Sequence, residues 1–305
     1  MEFNVYRPLF NIIPPEVDWI FYQTSYWRIQ NYQNPIAFTI TEEEKLVACI
    51  AFEMEEDRAI SLPRSLFGSL WLNQEIPDST LHAFVSYFKA QLADLDIHYI
   101  EMTCPSHIYQ NFLPVEFWLA RDFQLQSREF NQHIPVVGDF EARLHPMERR
   151  KLKKLRSGKL CFQEEIGSTD TLTECHEFIA ECREEQGLTI NITKRKFLNL
   201  CFRFDGSYQA FTARMGEDLA SVVITCQPGP GYQYYYLPAT DARYKKYSPM
   251  VGLMELIYED CQHRGISVLD LGVSSIKGEI QKGLFEFKQR LGAHQSTKST
   301  VYCEL

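Results

Sequence analysis

A lysine near the carboxyl terminus places a cationic side chain among apolar neighbours. Residues 281–291 have helical spacing, and Lys288 falls on the apolar side of this helix rather than with Glu286 and Gln289. That side is formed by Leu284, Phe285, Phe287 and Leu291. An ammonium group in such surroundings is costly unless a negative group meets it. The negative group is either an oxyanion or phosphate of a bound donor, which would make Lys288 catalytic, or an ordinary ion-pair partner such as Asp270 or Glu286.

Two more side chains have the chemistry to handle protons. Asp270 ends a buried strand and is followed by a loop that contains Gly272. Its carboxylate is able to accept a proton from an attacking amine, or to fix its own loop through bonds to backbone N–H groups, and the pattern favours the second role. Tyr236 lies in an aromatic strand, where its hydroxyl is able to serve a leaving group.

These residues belong to a longer pattern at the end of the chain. A strand ends in D-L-G at 270–272, a loop follows, and a helix carries G-L-F-E-F-K at 283–288 before Gly292. This order resembles the Fem-type branch of the GNAT acyltransferase superfamily, the branch of the peptidoglycan-bridge aminoacyltransferases. The resemblance is strongest over the last third of the chain. It implies that Phe287 and Lys288 lie at a transfer site, with Phe287 on the donor side.

The resemblance also implies where a donor binds. In a GNAT domain the fourth and fifth strands diverge, so that unpaired backbone groups meet the acyl-carrying arm, and the next helix directs its amino terminus at the donor phosphates. Here the fourth strand corresponds to residues 234–237, and the helix begins at Ser248 and Pro249, with the serine as its cap. Tyr236 is then expected at the divergence.

The loop before that helix departs from the usual GNAT phosphate loop, Q/R-x-x-G-x-G/A. Residues 243–248 align with it, but Lys246 and Ser248 stand at the two small positions. Loss of glycine hinders close approach of backbone N–H groups to a pyrophosphate. We therefore expect Arg243, Lys245, Lys246 and Ser248 to bind the donor through their side chains. A solvated basic loop is the alternative.

A second cationic segment opens the second half of the chain. Residues 149–159 contain seven basic and no acidic residues. The pattern predicts that most of them belong to a helix that begins at Pro146. The segment is similar to the helix that opens the second domain of Fem-type proteins. Arg149, Arg150 and Lys153 are candidates for clamping the phosphate of an acceptor nucleotide or for contacting tRNA. A solvated surface helix explains the charges equally well.

The acceptor is expected between the two domains. Residues 63–69 interrupt the first sheet with proline and glycine, which is typical of a functional loop or bulge. Arg64 and Ser65 of this loop, together with Ser274, are the predicted acceptor-binding residues outside the basic helix.

Composition limits the class of protein. The 305 residues are 45% apolar and suffice for two cores of roughly 150 residues each. The net charge is −9, which argues against a general nucleic-acid binder. The nine cysteines never form C-x-x-C, and the histidines never form H-x-x-x-H, so we expect buried free thiols and no metal site. The absence of a long apolar run or signal-like start predicts no membrane span and a cytoplasmic protein.

The order of predicted elements occurs twice. Hairpins, a crossover helix and a further strand precede residue 137, and the same order follows the basic helix. The prediction includes a helix at 109–119 and a strand at 130–137. We therefore predict an α/β (α+β) fold of tandem GNAT-like domains, residues 1–140 and 141–305, each with a mixed, mainly antiparallel sheet and helices on both faces.

The motifs of covalent catalysis and of nucleotide-binding P-loops are not found in the sequence, which favours direct transfer. The predicted protein is an acyl- or aminoacyltransferase that moves an acyl group to an amine. Its co-substrate is acyl-CoA or aminoacyl-tRNA, and no cofactor is expected to be tightly bound. The expected partners are a small amine acceptor, nucleotide- or cell-wall-linked, and tRNA. The alternatives are a coenzyme A-dependent N-acetyltransferase of a sugar amine or amino acid, and a catalytically silent tandem-GNAT binding protein.

Overall fold

The computed structural model describes residues 1–7, 17–165 and 168–305. These residues form two compact units. Unit 1 consists of Met1–Asn131, Ser275–Ile280 and Ser296–Leu305, and unit 2 consists of Gln132–Ser274 and Gln281–Gln295. This division differs from the predicted boundary between residues 140 and 141, since the chain returns to unit 1 at its end.

Unit 1 begins with the elements β1 (Glu2–Tyr6), α1 (Thr24–Gln30), β2 (Pro35–Glu42), β3 (Lys45–Glu55), β4 (Arg58–Ser61), β5 (Trp71–Leu72), α2 (Asp78–Ala93), β6 (Tyr99–Cys104), α3 (Val115–Leu119) and most of β7 (Gln124–Pro135). The strands β2 and β3 form an antiparallel hairpin and are buried along nearly their whole length. The helix α2 packs on the sheet through apolar residues at helical spacing, from Leu81 to Leu92.

Unit 2 continues with α4 (Phe140–Arg143), α5 (Pro146–Arg156), β8 (Leu160–Glu165), α6 (Thr169–Glu184), α7 (Lys194–Arg203), β9 (Tyr208–Met215), β10 (Asp218–Gly229), β11 (Tyr232–Thr240), α8 (Pro249–His263) and β12 (Val268–Val273). The core of this unit lies between the sheet and the helices α5 and α8. The helices α6 and α7 pack against β9, β10 and β11. Thr193 caps α7 by accepting a hydrogen bond from the N–H of Lys196.

The carboxyl-terminal elements alternate between the units. The short hairpin β13 (Ser275–Ile276) and β14 (Glu279–Ile280) belongs to unit 1, and α9 (Lys282–Arg290) belongs to unit 2. Residues 296–304 of β15 (His294–Glu304) belong to unit 1, where Ser299 to Glu304 pair antiparallel with β6. The last strand therefore completes the first sheet.

Both sheets follow the same plan. In unit 1 the strand order is β1-β2-β3-β4-β6-β15, and in unit 2 it is β12-β11-β10-β9-β8. Each sheet has one parallel pair, β4 with β6 and β11 with β12, and in each case a crossover helix, α2 or α8, connects the two strands. The predicted class, a tandem α/β protein with mixed and mainly antiparallel sheets, is confirmed.

Several local predictions were wrong. The helix predicted at 109–119 is confined to α3, because Pro114 lacks the N–H that a longer helix needs and the preceding residues turn back to bond β5. The strand predicted at 130–137 begins earlier, at Gln124. Cys161 is exposed, whereas the other eight cysteines are buried as expected. Among the described residues, no helix has the length and apolar character needed to cross a membrane.

The helix α5 is anchored to unit 2 through a buried carboxylate. Glu148 is fully buried, and its side chain accepts a hydrogen bond from Nε of Arg290 at 2.9 Å and from Nζ of Lys151 at 3.0 Å. Leu152 and Leu155 pack into the core beside it. This ion-pair network ties α5 to α9, so the basic segment has a defined orientation.

We expect Glu148→Gln to destabilise the protein by about 1–3 kcal/mol, because the guanidinium of Arg290 and the ammonium of Lys151 lose their charged partner. The free energy of unfolding in urea measures the effect. Glu259→Gln, a change at an exposed position of α8, serves as the control and should stay within about 0.5 kcal/mol of the parent. Equal stability of the parent and Glu148→Gln would contradict the anchoring role.

Candidate functional site

The parallel pairing of β11 with β12 is short. Tyr232 pairs with Val268, Gln233 with Leu269 and Tyr234 with Asp270, and no later pair of these fully described strands follows. Yet β11 continues for six residues to Thr240, paired only with β10 on its other side. The backbone groups of β11 beyond Tyr234 that face away from β10 therefore lack a strand partner, which makes this edge suitable for binding an extended, amide-containing chain.

A β-bulge lies just beyond the last parallel pair. Ile224 of β10 pairs with Leu237, and Thr225 pairs with Tyr235, so Tyr236 is the extra residue on β11. Its ring lies 6.2 Å from the ring of Tyr208. Burial raises the pKa of the Tyr236 hydroxyl, which keeps it protonated and able to donate a hydrogen bond. The structure thus places Tyr236 at the divergence, where the sequence predicted it.

The backbone turns at Gly272, the next-to-last residue of β12, and this turn requires a glycine. Gly272 has φ +73°, and a Cβ atom there would lie 2.6 Å from the hydroxyl oxygen of Tyr234. The N–H of Gly272 donates to Oδ1 of Asp270 at 2.9 Å, and Asp270 is only 3% exposed. This bond supports the loop-fixing role that the sequence favoured for Asp270. It also brings the Tyr234 hydroxyl, the carboxylate and the turn together at the point of divergence.

Lys288 supports the same turn from α9. Its ammonium donates to the carbonyl oxygens of Gly272 and Val273, at 2.9 Å each, and the residue is 3% exposed. Burial lowers the pKa of Lys288 from its ordinary value to about 8, although the nearby Asp270 carboxylate opposes this shift. Two of three ammonium donors are used by main-chain carbonyls, which leaves one N–H for a substrate.

The other residues predicted near Lys288 differ in their burial and contacts. Ser274 is buried, and its hydroxyl donates to Oε1 of Gln132 at 2.7 Å, so it does not present a free hydroxyl to an acceptor. Phe287 is half-buried against the core of unit 2. Leu284, predicted on the packed face, is 42% exposed because it lies in the first turn of α9.

The loop before α8 keeps a glycine-like conformation without glycine. Ser248 has φ 58° and ψ 46°, in the left-handed region, and its side chain makes no capping hydrogen bond, contrary to the prediction. Pro249 begins the helix as expected. Arg243 is exposed and bonds the carboxylate of Asp241, which lowers the pKa of that carboxylate. Lys245 is exposed.

A cavity of about 520 Å³, which we call the lysine cavity, lies beside this loop. It is lined by Lys151 and Lys154 of α5, by Lys159, and by Lys246, Tyr247 and Ser248 before α8. The residues predicted on α5 are not part of its lining. Arg149 instead donates to the carbonyl oxygens of Glu141, Ala142 and Leu144, Lys153 lies 3.8 Å from Glu141, and Arg150 is exposed elsewhere on the helix.

A second cavity, of about 390 Å³ and called here the acidic cavity, is lined by Asp241 and Arg243 at the start of the same loop. Seven carboxylates and Arg243 are among its lining residues. Three of the carboxylates belong to α6, at Glu174, Glu177 and Glu181, and a fourth, Glu185, follows directly as the C-cap of that helix. Sequence reasoning missed this stripe, although its spacing of three and four residues is a visible signal.

The corresponding region of unit 1 is filled by the chain itself. The β4–β6 ladder ends at Ser61 and Met102, and the N–H of Gly68 then donates to the carbonyl oxygen of Thr103 at 2.9 Å. Tyr26 donates to the carbonyl oxygen of Arg64, and Ser65 donates to the carbonyl oxygen of Phe67. The loop at 63–69 therefore has an internal structural role, with the Arg64 guanidinium over the ring of Tyr32.

Comparison with known proteins agrees with the fold described above. Residues 147–289 match the family model of an acetyltransferase (GNAT) domain. No curated protein matches the chain significantly. The solved structure of FemX is similar at 11% identity, with a TM-score of 0.69 over 94% of this chain and 92% of that chain.

Two further solved structures share the fold. The carboxyl-terminal domain of a putative lysylphosphatidylglycerol synthetase from Agrobacterium fabrum aligns with a TM-score of 0.58 at 11% identity, over 87% of this chain and 82% of that chain. A tandem GNAT protein from the clavulanic acid biosynthesis pathway aligns with a TM-score of 0.51 at 10% identity, over 88% and 82%. At these identities the likeness establishes the fold alone.

The lowered pKa of Lys288 predicts a pH dependence of stability. Its folded-state pKa, about 8, lies below its ordinary value of 10.5, so the unfolded chain binds more protons between these values and stability rises with pH across this window. Between pH 7.5 and 10.5, we expect the free energy of unfolding of the parent to rise by up to about 3 kcal/mol relative to that of Lys288→Met. Urea unfolding of both proteins at each pH measures the difference. Parallel pH curves would contradict the burial of a titrating lysine.

Proposed function

We propose that the protein, whose residues 147–289 match the model of an acetyltransferase (GNAT) domain, transfers an acyl or aminoacyl group from an activated donor to an amine. The donor is an aminoacyl-tRNA ester or an acyl thioester. The transfer is direct, and it takes place where β11 and β12 diverge. Lys288, Asp270 and Tyr236 form the reaction centre in this proposal.

The single observation that carries the proposal is the end of the parallel ladder at Tyr234 and Asp270. Beyond this pair the unpaired edge of β11, the bulged Tyr236 and the turn at Gly272 meet. An open strand edge is able to bind the amide-containing arm of a donor through backbone hydrogen bonds. The equivalent opening in unit 1 is filled by Gly68, which supports a single donor site in unit 2.

The reaction needs little from the protein beyond positioning and polarisation. The amine attacks the donor carbonyl carbon, a C–N bond forms, and the C–O bond of an ester or the C–S bond of a thioester breaks. The proton lost by the amine is balanced by the one gained by the leaving oxygen or sulfur. Tyr236 supplies that proton to the leaving group and is reprotonated from the amine. The remaining N–H of Lys288 stabilises the oxyanion.

Aminoacyl donors are supported by the similarity in fold to the carboxyl-terminal domain of a putative lysylphosphatidylglycerol synthetase. The amine nature of the acceptor is supported by the acidic cavity, because its carboxylates favour a cation. Arg243, Lys245, Lys246 and Ser248 remain the proposed donor-binding residues, since they precede the amino terminus of α8.

A coenzyme A-dependent N-acyltransferase is the second candidate. The observation that favours it is the backbone of Ser248, whose positive φ keeps the conformation that glycine has in a phosphate loop. Loss of the glycine at position 248 has therefore not removed the left-handed backbone conformation before the helix.

A transfer assay with hydroxylamine as a general amine acceptor tests the proposal. Alanyl-tRNA and acetyl-CoA serve as donors, and hydroxamate formation is measured. We expect transfer from alanyl-tRNA, and we expect Lys288→Met to reduce turnover by on the order of 100-fold or more with little change in donor affinity. Tyr236→Phe should reduce turnover by roughly 10- to 100-fold, more for the poorer leaving group.

Lys282→Met is the matched control, because Lys282 lies on the same helix with its side chain 87% exposed. It should retain full turnover. Transfer from acetyl-CoA alone would favour the second candidate. The absence of transfer from both donors by the parent protein, or full activity of Lys288→Met in a folded protein, would overturn the assignment.

A further inference from the structure

An arginine continues the buried side of α6. The buried residues of this helix include Leu172, His176 and Ile179, which are separated by four and three positions and so lie on one side of it. Arg183 follows Ile179 by four residues, in the last turn of the helix, and therefore falls on the same side. This side packs against the sheet. A charged group in such a position costs free energy unless a negative group meets it.

The guanidinium of Arg183 has no partner within the part of the chain that the structure describes. Its Nε atom is buried without a hydrogen bond, and neither an ion pair nor a hydrogen bond of the guanidinium occurs among the described residues. Glu181 and Glu185 are each two positions away, which is about 200° around the helix, so these carboxylates lie toward the acidic cavity instead. The residue as a whole is only partly buried, which leaves a ligand access to it.

This guanidinium lies near the divergence of β11 and β12. The helix α6 packs against β11. Burial raises the pKa of the Tyr236 hydroxyl, and the positive charge of Arg183 partly opposes that rise. Because such an effect weakens with distance, the two side chains occupy one region of unit 2. Tyr236 is the bulged residue at the unpaired edge of β11, so Arg183 lies beside the proposed reaction centre.

The surroundings favour a planar anion with a single charge. A guanidinium donates two parallel N–H bonds to a carboxylate or to a phosphate. Tyr234 and Tyr236 are half-buried on the same strand, and burial raises the pKa of each hydroxyl, so both hydroxyls stay protonated and able to donate. One guanidinium balances the single charge of a carboxylate, whereas a phosphate monoester carries nearly two charges at neutral pH. A carboxylate is therefore the better match.

We propose that Arg183 binds the carboxylate of the amine acceptor, which identifies the acceptor as an amino acid or another amine that bears a carboxylate. This assignment rests on the proposed transfer reaction. A carboxylate held beside Tyr236 brings its own amine to the donor carbonyl at the unpaired edge of β11. Arg183 is thus a specificity-determining residue, and an amino acid is favoured over a neutral sugar amine.

Titration calorimetry with N-acetylglycine and N-acetylglycinamide tests the subsite without turnover. Both ligands resemble the amide product of a transfer, but only the first has a carboxylate. We expect N-acetylglycine to bind the parent and Arg183→Met to weaken this binding by roughly 10- to 100-fold, because a charge-assisted bidentate contact is lost. The affinity for N-acetylglycinamide should change little, since this ligand makes no such contact.

The choice of acceptor gives a second measurement. Glycine and glycinamide are compared as acceptors with the donor that is active in the hydroxylamine assay. The ratio of their kcat/KM values is independent of any effect of the substitution on Tyr236, because both acceptors share that effect. We expect this ratio to fall by about tenfold or more in Arg183→Met. Arg195→Met removes the same charge from an exposed position of α7 and should leave the ratio unchanged.

Thermal unfolding of the ligand-free protein separates binding from structural support. Because the guanidinium has no partner among the described residues, methionine on the packed side of α6 should leave the melting temperature unchanged or raise it. A lower melting temperature together with equal losses for glycine and glycinamide would show that Arg183 supports the structure instead, and would overturn the proposal.

Further outcomes would also overturn it. These are no binding of N-acetylglycine by the parent at about 10 mM, which is above the usual range of KM values, equal losses of the two ligands in Arg183→Met, or an unchanged acceptor ratio. The hydroxylamine assay distinguishes this failure from a failure of the proposed function. A parent that forms the hydroxamate but does not bind N-acetylglycine refutes only the carboxylate subsite. A parent that forms no hydroxamate but binds N-acetylglycine through Arg183 refutes the transfer and leaves the carboxylate site.

Discussion

The early end of the parallel pairing between β11 and β12 is the constraint on which the candidate site depends. Two neighbouring parallel strands normally satisfy each other's backbone groups along their common length, but here the ladder stops at Tyr234 and Asp270. The separation is maintained from both sides. The extra residue Tyr236 bends β11, and the turn at Gly272 is held by Asp270 from within and by the ammonium of Lys288 from α9. Burying a cation costs free energy, and here two main-chain carbonyl oxygens, those of Gly272 and Val273, need a hydrogen-bond donor at a point where the sheet does not provide one.

The two units show that the same topology does not by itself create a site. In unit 1 the parallel strands also separate, after Ser61 and Met102, but the loop at 63–69 supplies Gly68 as a substitute strand partner. Aromatic hydroxyls, including that of Tyr26, hold this loop through its carbonyl groups. Because the backbone groups are already satisfied, a ligand would gain little there. The difference between a binding edge and a structural edge is thus a loop of a few residues.

Much of the fold could be predicted because its causes are local. The capping Thr193, the Pro249 start of α8 and the apolar periodicity of α2 each leave a pattern in the sequence. The position of Tyr236 at the divergence followed from the order of elements. The helix predicted at 109–119 was wrong because tertiary bonds to β5 compete with helix formation. The side of α5 that lines the lysine cavity was not predicted. The guanidinium of Arg149 donates to three carbonyl groups at the end of α4. The rotation of a helix about its axis depends on partners, such as Arg290, that are distant in sequence.

The six residues 242–247 separate the two charged cavities of unit 2. Arg243 lies on the acidic side, bound to Asp241, whereas Lys246 and Tyr247 lie on the cationic side. Residues of opposite charge preference are therefore presented by the two ends of one short segment that precedes α8. In the proposed function this arrangement suits a phosphate-bearing donor and a cationic amine, because each ligand would meet residues of the opposite charge.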